Sequence, residues 1–195
     1  MDGLSVFVLA SASPRRSEIL SIFTDKFEVQ SADIEERVYP GEYPEQIVMA
    51  LALEKALIVA EKRMSNEIII AADTVVVKDQ ILGKPMDSED AYRMLALLQN
   101  QIHEVLTGVA IIKVGTNDKI VSYSKTRVKM KQLTEQMIYR YINTGEVWGK
   151  AGAYAIQGKG AAIVEWIEGD YYNVVGLPIS KVIDLMRKHF DIDIL

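Results

Sequence analysis

Apolar and polar positions in the first half of the chain alternate in blocks that predict an α/β protein. Three segments fit strands: the apolar run Val6 to Ala10, which indicates a buried strand, a short segment near Phe27 to Gln30, and the apolar run Ile68 to Val77. Three stretches with helical periodicity follow them or lie between them: from Pro14, from Pro44 to about Lys62, and from Ser88 to Leu98. Alternating strands and helices indicate a sheet with helices on its faces.

The second half of the chain predicts an antiparallel addition to this sheet. Two β segments, near Val105 to Val114 and Ile120 to Lys131, are joined by Gly115-Thr-Asn-Asp. Three further elements follow: a helix from Thr134 to Asn143, a strand from Ala161 to Ile167, and an amphipathic helix from Ser180 to Phe190. No Gly/Ser linker, low-complexity tract or internal repeat divides the sequence. We therefore expect a single domain over residues 1–195 with a mixed, twisted sheet.

The turn between the first strand and the first helix has the features of an anion site. Ser13 is a good N-cap, and Pro14 fits the first helical position. Backbone N–H groups and the positive end of the helix dipole would then face the space above the strand. Arg15 and Arg16 lie in this first turn, where they would hold phosphate. The alternative is a capped surface helix with solvated arginines, since arginine is favoured at the opposite end of a helix.

Two charged residues interrupt apolar surfaces. Asp73 lies within the apolar run Ile68 to Val77, where an ionised carboxylate is costly unless it is paired, metal-bound or facing a cleft. This predicts a functional acid, with a salt-bridged structural acid as the alternative. Lys55 falls at the edge of the apolar side of the long helix, which Ile47, Leu51 and Ile58 define. This position predicts a functional lysine, and the alternative is that Lys55 extends its ammonium along the helix to reach solvent.

Composition narrows the possible partners. The formal net charge of -5 argues against binding nucleic acid polymers, so a basic site must be local and suited to a small anion such as a free nucleotide. The absence of cysteine excludes disulfides and thiolate metal sites. No apolar stretch reaches membrane-spanning length, and no basic region precedes the short apolar stretch near the N-terminus. We therefore expect a cytoplasmic protein that does not associate with membranes.

Several segments occur together in the order and spacing of one family. They are Leu9 to Leu20, Ile68 to Val77, Gly83 to Pro85, Thr107 to Ala110, Gly149 to Gly158 and Gly169 to Pro178. On these segments the chain resembles the Maf nucleotide pyrophosphatases along nearly its whole length. The resemblance implies a fold related to inosine triphosphate pyrophosphatases, with two closely joined lobes around a deep cleft, and a homodimer. It also implies hydrolysis of nucleoside triphosphates to monophosphate and pyrophosphate with a divalent metal, Mg²⁺ or Mn²⁺.

The resemblance also suggests roles for individual residues. Asp73 becomes the candidate general base, or the residue that orients a metal-bound water. Glu35 is the candidate metal ligand beside Asp73, and Glu36 is its uncertain neighbour, although an acidic run in a polar loop is commonly just a solvated face. Phosphate oxygens would be bound by five hydroxyl and cationic side chains: Ser11, Arg15, Arg16, Lys55 and Lys84.

Substrate choice follows from three positions of the resemblance. The branch of the family that favours dTTP and UTP carries arginine, threonine and glutamine, which are Arg15, Thr74 and Gln157 here. The branch that favours 7-methyl-GTP has tryptophan for that arginine and glutamate for that glutamine. An amide offers both a donor and an acceptor, as the uracil or thymine edge needs. We therefore expect a dTTP/UTP pyrophosphatase, which would also accept modified pyrimidine nucleotides in a house-cleaning role.

A non-enzymatic function is the alternative. Maf proteins have also been linked to arrest of cell division, so the chain could sense a nucleotide and regulate septum formation through a protein partner. Pyrophosphate release discriminates the two functions, because a binding module retains nucleotide without turnover.

Overall fold

The computed structural model describes residues 7–32, 34, 42–64 and 66–195. The strands are β1 (Phe7–Leu9), β2 (Phe27–Val29), β3 (Ile68–Lys78), β4 (Gln80–Leu82), β5 (Ile102–Lys113), β6 (Lys119–Met130) and β7 (Val164–Glu168). The helices are α1 (Pro14–Ser21), α2 (Pro44–Ala60), α3 (Ser88–Leu98), α4 (Glu135–Ile142), α5 (Tyr171–Val175) and α6 (Ile179–Phe190). Two 3₁₀ segments cover Ala151–Ala153 and Gly158–Ala162. None of the helices in these ranges is long and apolar enough to cross a membrane.

Within the described residues, seven strands form one mixed sheet. Their order is β2-β1-β3-β5-β6-β7, and β4 pairs with β3. Strand β1 runs parallel to both of its neighbours, with Leu9 opposite Val29 and Ile70. Strands β4 and β7 are antiparallel to β3 and β6. Because β5 and β6 are neighbours joined by a short connection, they too are antiparallel. The predicted mixed α/β sheet with flanking helices is confirmed.

The chain divides into two compact units. The first contains the described residues up to Asp73, with Thr107–Ser124 and Gly176–Leu195. The second contains Thr74–Leu106 and Lys125–Val175. Three of the four boundaries fall within β3, β5 and β6, so each unit includes part of these three strands, and the fourth follows Val175 at the end of α5.

The core of the first unit brings α2 very close to the sheet. Small residues on α2, Ala52 and Ala56, are fully buried against strand residues. At Gly108 of β5 an added Cβ would lie 2.1 Å from the carbonyl oxygen of Val48, so only glycine fits beneath this helix. This contact explains the glycine of the Thr107 to Ala110 segment. The other buried residues of this cluster are Val8, Ala10, Val59, Ile69, Ala71, Ala110 and Ile112.

The second unit has its own core around α3 and α4. Both helices begin at side-chain caps: Asp87 accepts a hydrogen bond from the Asp90 N–H at 2.8 Å, and Thr134 accepts one from the Met137 N–H at 3.3 Å. The largest fully buried side chains of this core are Leu95, Leu98 and Met130. Local capping therefore sets the helix starts, and burial of their apolar faces holds them in place.

The predicted elements agree with the structure except at a few points. The strand predicted from Ala161 begins only at Val164, because Gly160 turns the preceding chain tightly against the carbonyl of Ala155. Strand β4 and helix α5 were not predicted; each is at most five residues long and too short to show periodicity. Ser13 occupies the N-cap position of α1, but its side chain makes no capping hydrogen bond.

Candidate active site

The turn between β1 and α1 is organised by the buried hydroxyl of Ser11. Its Oγ accepts hydrogen bonds from the Ser13 N–H at 3.1 Å and from Arg16 Nη1 at 3.3 Å. Arg16 also donates from Nε to the carbonyl of Gly176 at 2.7 Å. Arg15 and Arg16 are both half-buried, which leaves phosphate binding at this turn a prediction, while two partners hold the Arg16 guanidinium. Arg16 is therefore held in a fixed place at the start of the helix, as an anion site requires.

Asp73 and Lys55 form a buried ion pair. Residues Ile69, Ala71 and Asp73 alternate onto one face of β3, and α2 packs on that face through Ala52 and its neighbours. This packing brings the helix beside the carboxylate, and Lys55 Nζ donates to Asp73 Oδ1. Only 10% of the lysine side chain and 8% of the aspartate side chain are exposed. Two opposite charges are thus held together away from solvent.

The surroundings of Lys55 differ from the sequence-based expectation. Lys55 lies among the buried residues of α2 and not at the edge of its apolar side, whereas Ile58 is only half-buried. The alternative in which its ammonium extends to solvent is wrong, because the close approach of α2 to the sheet leaves it facing Asp73. An ion pair alone accounts for the burial of both charges, so catalysis by Asp73 stays a prediction.

Strand register relates these two pairs of side chains. Leu9 lies opposite Ile70 in the parallel pair of β1 and β3, and the Ala10 N–H donates to the carbonyl of Ile70 at 2.8 Å. Strand β1 ends at Leu9, where the Ser11 N–H donates to the Leu9 carbonyl at 2.9 Å and the chain turns, whereas β3 continues past Ile70 to Asp73 and beyond. The carboxyl ends of parallel strands are where open α/β sheets bind ligands. In the first unit, the turn that carries Ser11 and the part of β3 that carries Asp73 therefore both lie beyond the carboxyl end of β1.

The second unit contains the other predicted residues. Thr74 is half-buried in β3, and Lys84 is exposed in the turn after β4. The carbonyl of Gly83 in that turn accepts a hydrogen bond from the Gly152 N–H at 3.0 Å, which joins the lysine turn to the segment that carries Gln157. Gln157 is half-buried and immediately precedes the second 3₁₀ segment.

Sequence reasoning missed Glu146, which lies after α4. Its carboxylate accepts hydrogen bonds from the N–H groups of Lys159 and Gly160, and these bonds hold the pKa of the Glu146 carboxyl below its usual value. The signal in the sequence was the Gly158-Lys-Gly160 turn, because its N–H groups need an acceptor that the turn itself does not supply.

A buried pair of aromatic side chains holds the same segment. His103 Nε2 and the hydroxyl of Tyr154 are joined by a 2.6 Å hydrogen bond. Burial lowers the pKa of His103 to about 4 and raises the pKa of Tyr154 above its usual value. Both side chains are therefore neutral near pH 7, and the contact is a structural support for the chain just before Gln157.

The predicted metal ligands are only partly within the described residues. Glu35, and with it the choice between Glu35 and Glu36, lies outside them. Among the residues that the structure does describe, no group of three or more His, Asp or Glu side chains could hold a metal ion. Asp73 is thus the predicted metal ligand whose surroundings are known.

Comparison with known proteins identifies the family. The family model described as Maf-like protein matches residues 6–189. The chain is 48% identical over 189 residues to the dTTP/UTP pyrophosphatase of Thermoanaerobacter sp. (strain X514), covering 96% of this chain and 98% of that protein. It is 49% identical over 193 residues to the dTTP/UTP pyrophosphatase of Caldanaerobacter subterraneus subsp. tengcongensis, covering 98% of this chain and 92% of that protein. The chain therefore belongs to the Maf family, as the sequence motifs predicted.

A solved structure with a weaker likeness is the Ham1 protein of Staphylococcus aureus. It is 13% identical, covers 82% of this chain and 80% of its own, and superposes with a TM-score of 0.49. The sequence matches, and not this likeness, carry the family assignment.

Proposed function

We propose that this protein hydrolyses dTTP and UTP to the nucleoside monophosphate and pyrophosphate. The observation that supports this most is the near full-length match, at about half identity, to proteins named dTTP/UTP pyrophosphatase. The three positions expected for pyrimidine recognition, Arg15, Thr74 and Gln157, agree with that substrate class. Modified pyrimidine triphosphates share the same base edge, which suits a house-cleaning role. The nucleotide-sensing regulator is the less favoured function, because both relatives are named as enzymes.

Phosphate binding is assigned to the cationic and hydroxyl side chains. Arg16 is already fixed by Ser11 and Gly176, so binding an anion there loses little side-chain freedom. Arginine binds phosphate through two N–H groups at once, and a lysine ammonium such as that of Lys84 acts as a point charge. Because every nucleoside triphosphate has the same phosphates, Ser11, Arg16 and Lys84 contribute to affinity and not to base choice.

Asp73 is assigned to the attacking water. In this step an oxygen–phosphorus bond forms at the α-phosphorus, the bond to the bridging oxygen of the β-phosphate breaks, and pyrophosphate leaves. The water proton passes to the Asp73 carboxylate. Lys55 fixes one oxygen of that carboxylate and so orients it toward the reaction.

A divalent cation, Mg²⁺ or Mn²⁺, belongs to the proposal. Asp73 is suited to bind such a cation, because a carboxylate has two acceptor oxygens and the bond from Lys55 Nζ is made to Oδ1. Glu35 is the second proposed ligand. When bound, such a cation supplies charge neutralisation on the triphosphate and on the leaving pyrophosphate. A homodimer in the cytoplasm completes the proposal and rests on the family resemblance.

Product analysis tests this function. The purified protein would be given labelled UTP, dTTP, GTP and ATP with Mg²⁺, with Mn²⁺, or with a chelator. We expect UMP and pyrophosphate in equal amounts from UTP, and no turnover with the chelator. UDP with orthophosphate would refute attack at the α-phosphorus. Tight nucleotide retention without turnover under either metal would favour the sensing function instead.

A further inference from the structure

The backbone beside Gln157 is capped by a side chain from elsewhere in the second unit. Gln157 has extended backbone angles and makes no side-chain capping bond to the 3₁₀ segment that follows it. Glu146 supplies the acceptors: Oε1 receives the Lys159 N–H at 3.0 Å and Oε2 receives the Gly160 N–H at 3.1 Å. At Gly158, where φ is +63°, an added Cβ would lie 2.8 Å from Oε1. The carboxylate therefore fills the space that only glycine leaves open.

The chain before Gln157 is held by the same part of the unit. The Ala155 N–H donates to the hydroxyl of Tyr141, in the last turn of α4, at 3.0 Å. At Gly160 an added Cβ would lie 1.9 Å from the carbonyl oxygen of Ala155, so the two ends of the Gln157 loop meet. Gln157 thus stands in a closed loop that α4 and the following turn hold on both sides.

The position of Glu146 is itself determined by this turn. Thr144 Oγ1 accepts the Glu146 N–H at 3.2 Å and donates to the carbonyl of Tyr141 at 2.7 Å. The turn after α4 therefore fixes the backbone of Glu146, and this fixed backbone places its carboxylate at the Gln157 loop.

We infer that Glu146 is a positioning residue for base selection, acting through Gln157. This inference rests on the proposed function, in which the Gln157 amide reads the pyrimidine edge. An amide selects a base only if its donor and acceptor occupy fixed places, and a displacement of about 1 Å is enough to lose much of an oriented interaction. The bidentate bonds from Lys159 and Gly160 supply that fixity without using the amide of Gln157 itself.

The variant Glu146→Gln tests the inference. A glutamine keeps the shape but has one acceptor oxygen, and its NH₂ group would face a backbone donor. We expect the ratio of kcat/KM for UTP over GTP to fall about tenfold, mainly through the KM for UTP, with kcat changed less than about threefold. Glu165→Gln, which removes the same charge from an exposed position on β7, is the matched control and should keep the wild-type ratio.

A mutant cycle with Gln157→Ala shows whether the effect passes through Gln157. We expect Glu146→Gln to change the ratio in the wild-type background and to change it no further once Gln157 is alanine. Gly158→Ala keeps the Glu146 carboxylate but displaces it, and it should lower the UTP-to-GTP ratio as Glu146→Gln does. If Glu146→Gln does not fold, Gly158→Ala tests the positioning role in its place. The melting temperature of each variant is measured alongside.

The outcomes separate this inference from the function on which it rests. If Gln157→Ala abolishes selectivity while Glu146→Gln and Gly158→Ala keep the wild-type ratio, the positioning role is overturned and the enzyme function stands. An equal effect of Glu146→Gln with and without Gln157 also overturns it, because the loss would then be merely structural. Absence of turnover in the wild type would overturn the proposed function and this inference with it.

Discussion

The ion pair between Lys55 and Asp73 allows structural and catalytic roles to be separated. Lys55→Met or Asp73→Asn leaves one charge unpaired where the side chains are only 10% and 8% exposed. At this burial solvent screens little, and breaking such a pair destabilises a protein by about 3 to 5 kcal/mol. We expect about 3 kcal/mol for each single variant, which lowers the melting temperature by roughly 6 to 12 °C in a chain of this size.

The double variant gives the decisive comparison. It contains neither charge, so no uncompensated buried charge remains, and we expect it to lose about 1 kcal/mol or less, where independent sites would lose about 6. Its stability thus exceeds that of the single variants, but its turnover should stay at least about a hundredfold below wild type, as for Asp73→Asn, because the acid is absent. Urea unfolding followed by circular dichroism and kcat for UTP measure the two quantities on the same preparations.

A matched control is the exposed pair of Lys125 and Glu104, whose charged atoms are 3.2 Å apart. With side chains 43% and 39% exposed, Lys125→Met should change the free energy of unfolding by less than about 1 kcal/mol. Additive losses in the Lys55 and Asp73 variants would refute the energetic coupling of the buried pair. Near-normal turnover by folded Asp73→Asn would remove Asp73 from the mechanism.

Two further predictions concern stability. Burial lowers the pKa of His103 from 6.5 to about 4, so between these pH values the unfolded chain binds a proton and the folded chain does not. The free energy of unfolding therefore falls by about 3 kcal/mol as the pH drops from 6.5 to 4. His103→Gln should remove this part of the pH dependence; equal slopes in urea titrations of both proteins would contradict it. Gly108→Ala should destabilise the protein by about 3 kcal/mol, because its Cβ would lie 2.1 Å from the Val48 carbonyl oxygen. Gly83→Ala, with nothing within 4 Å of its Cβ, should change little, and equal melting temperatures for both variants would disprove the tight packing of α2.

Local sequence was sufficient for most of the secondary structure. Helix α3 begins and ends where its periodicity predicts, and Pro14 and Pro44 each start a helix. These signals act between residues a few positions apart, so they determine the helix ends without any contribution from tertiary contacts. The family motifs likewise identified the class of protein, because they are blocks of contiguous residues.

The sequence also indicated which charged residues were unusual, but not their partners. Asp73 and Lys55 stood out as charges on apolar surfaces, yet a lysine reaching solvent was equally consistent with the pattern around it. Their pairing across 18 positions depends on α2 lying on the face of β3 that carries Asp73. That approach in turn needs the missing Cβ of Gly108, on a third element.

Glu146 shows the same limit more clearly. Nothing in its immediate sequence distinguishes Glu146 from a solvated glutamate. Its role depends on the N–H groups that donate to its carboxylate from 13 and 14 positions further along the chain. Periodicity, caps and turns are properties of neighbouring residues, and the sequence alone determined them. Which charge meets which acceptor across the fold is decided by packing, because burial of the cores brings distant side chains together and removes the water that would otherwise satisfy them.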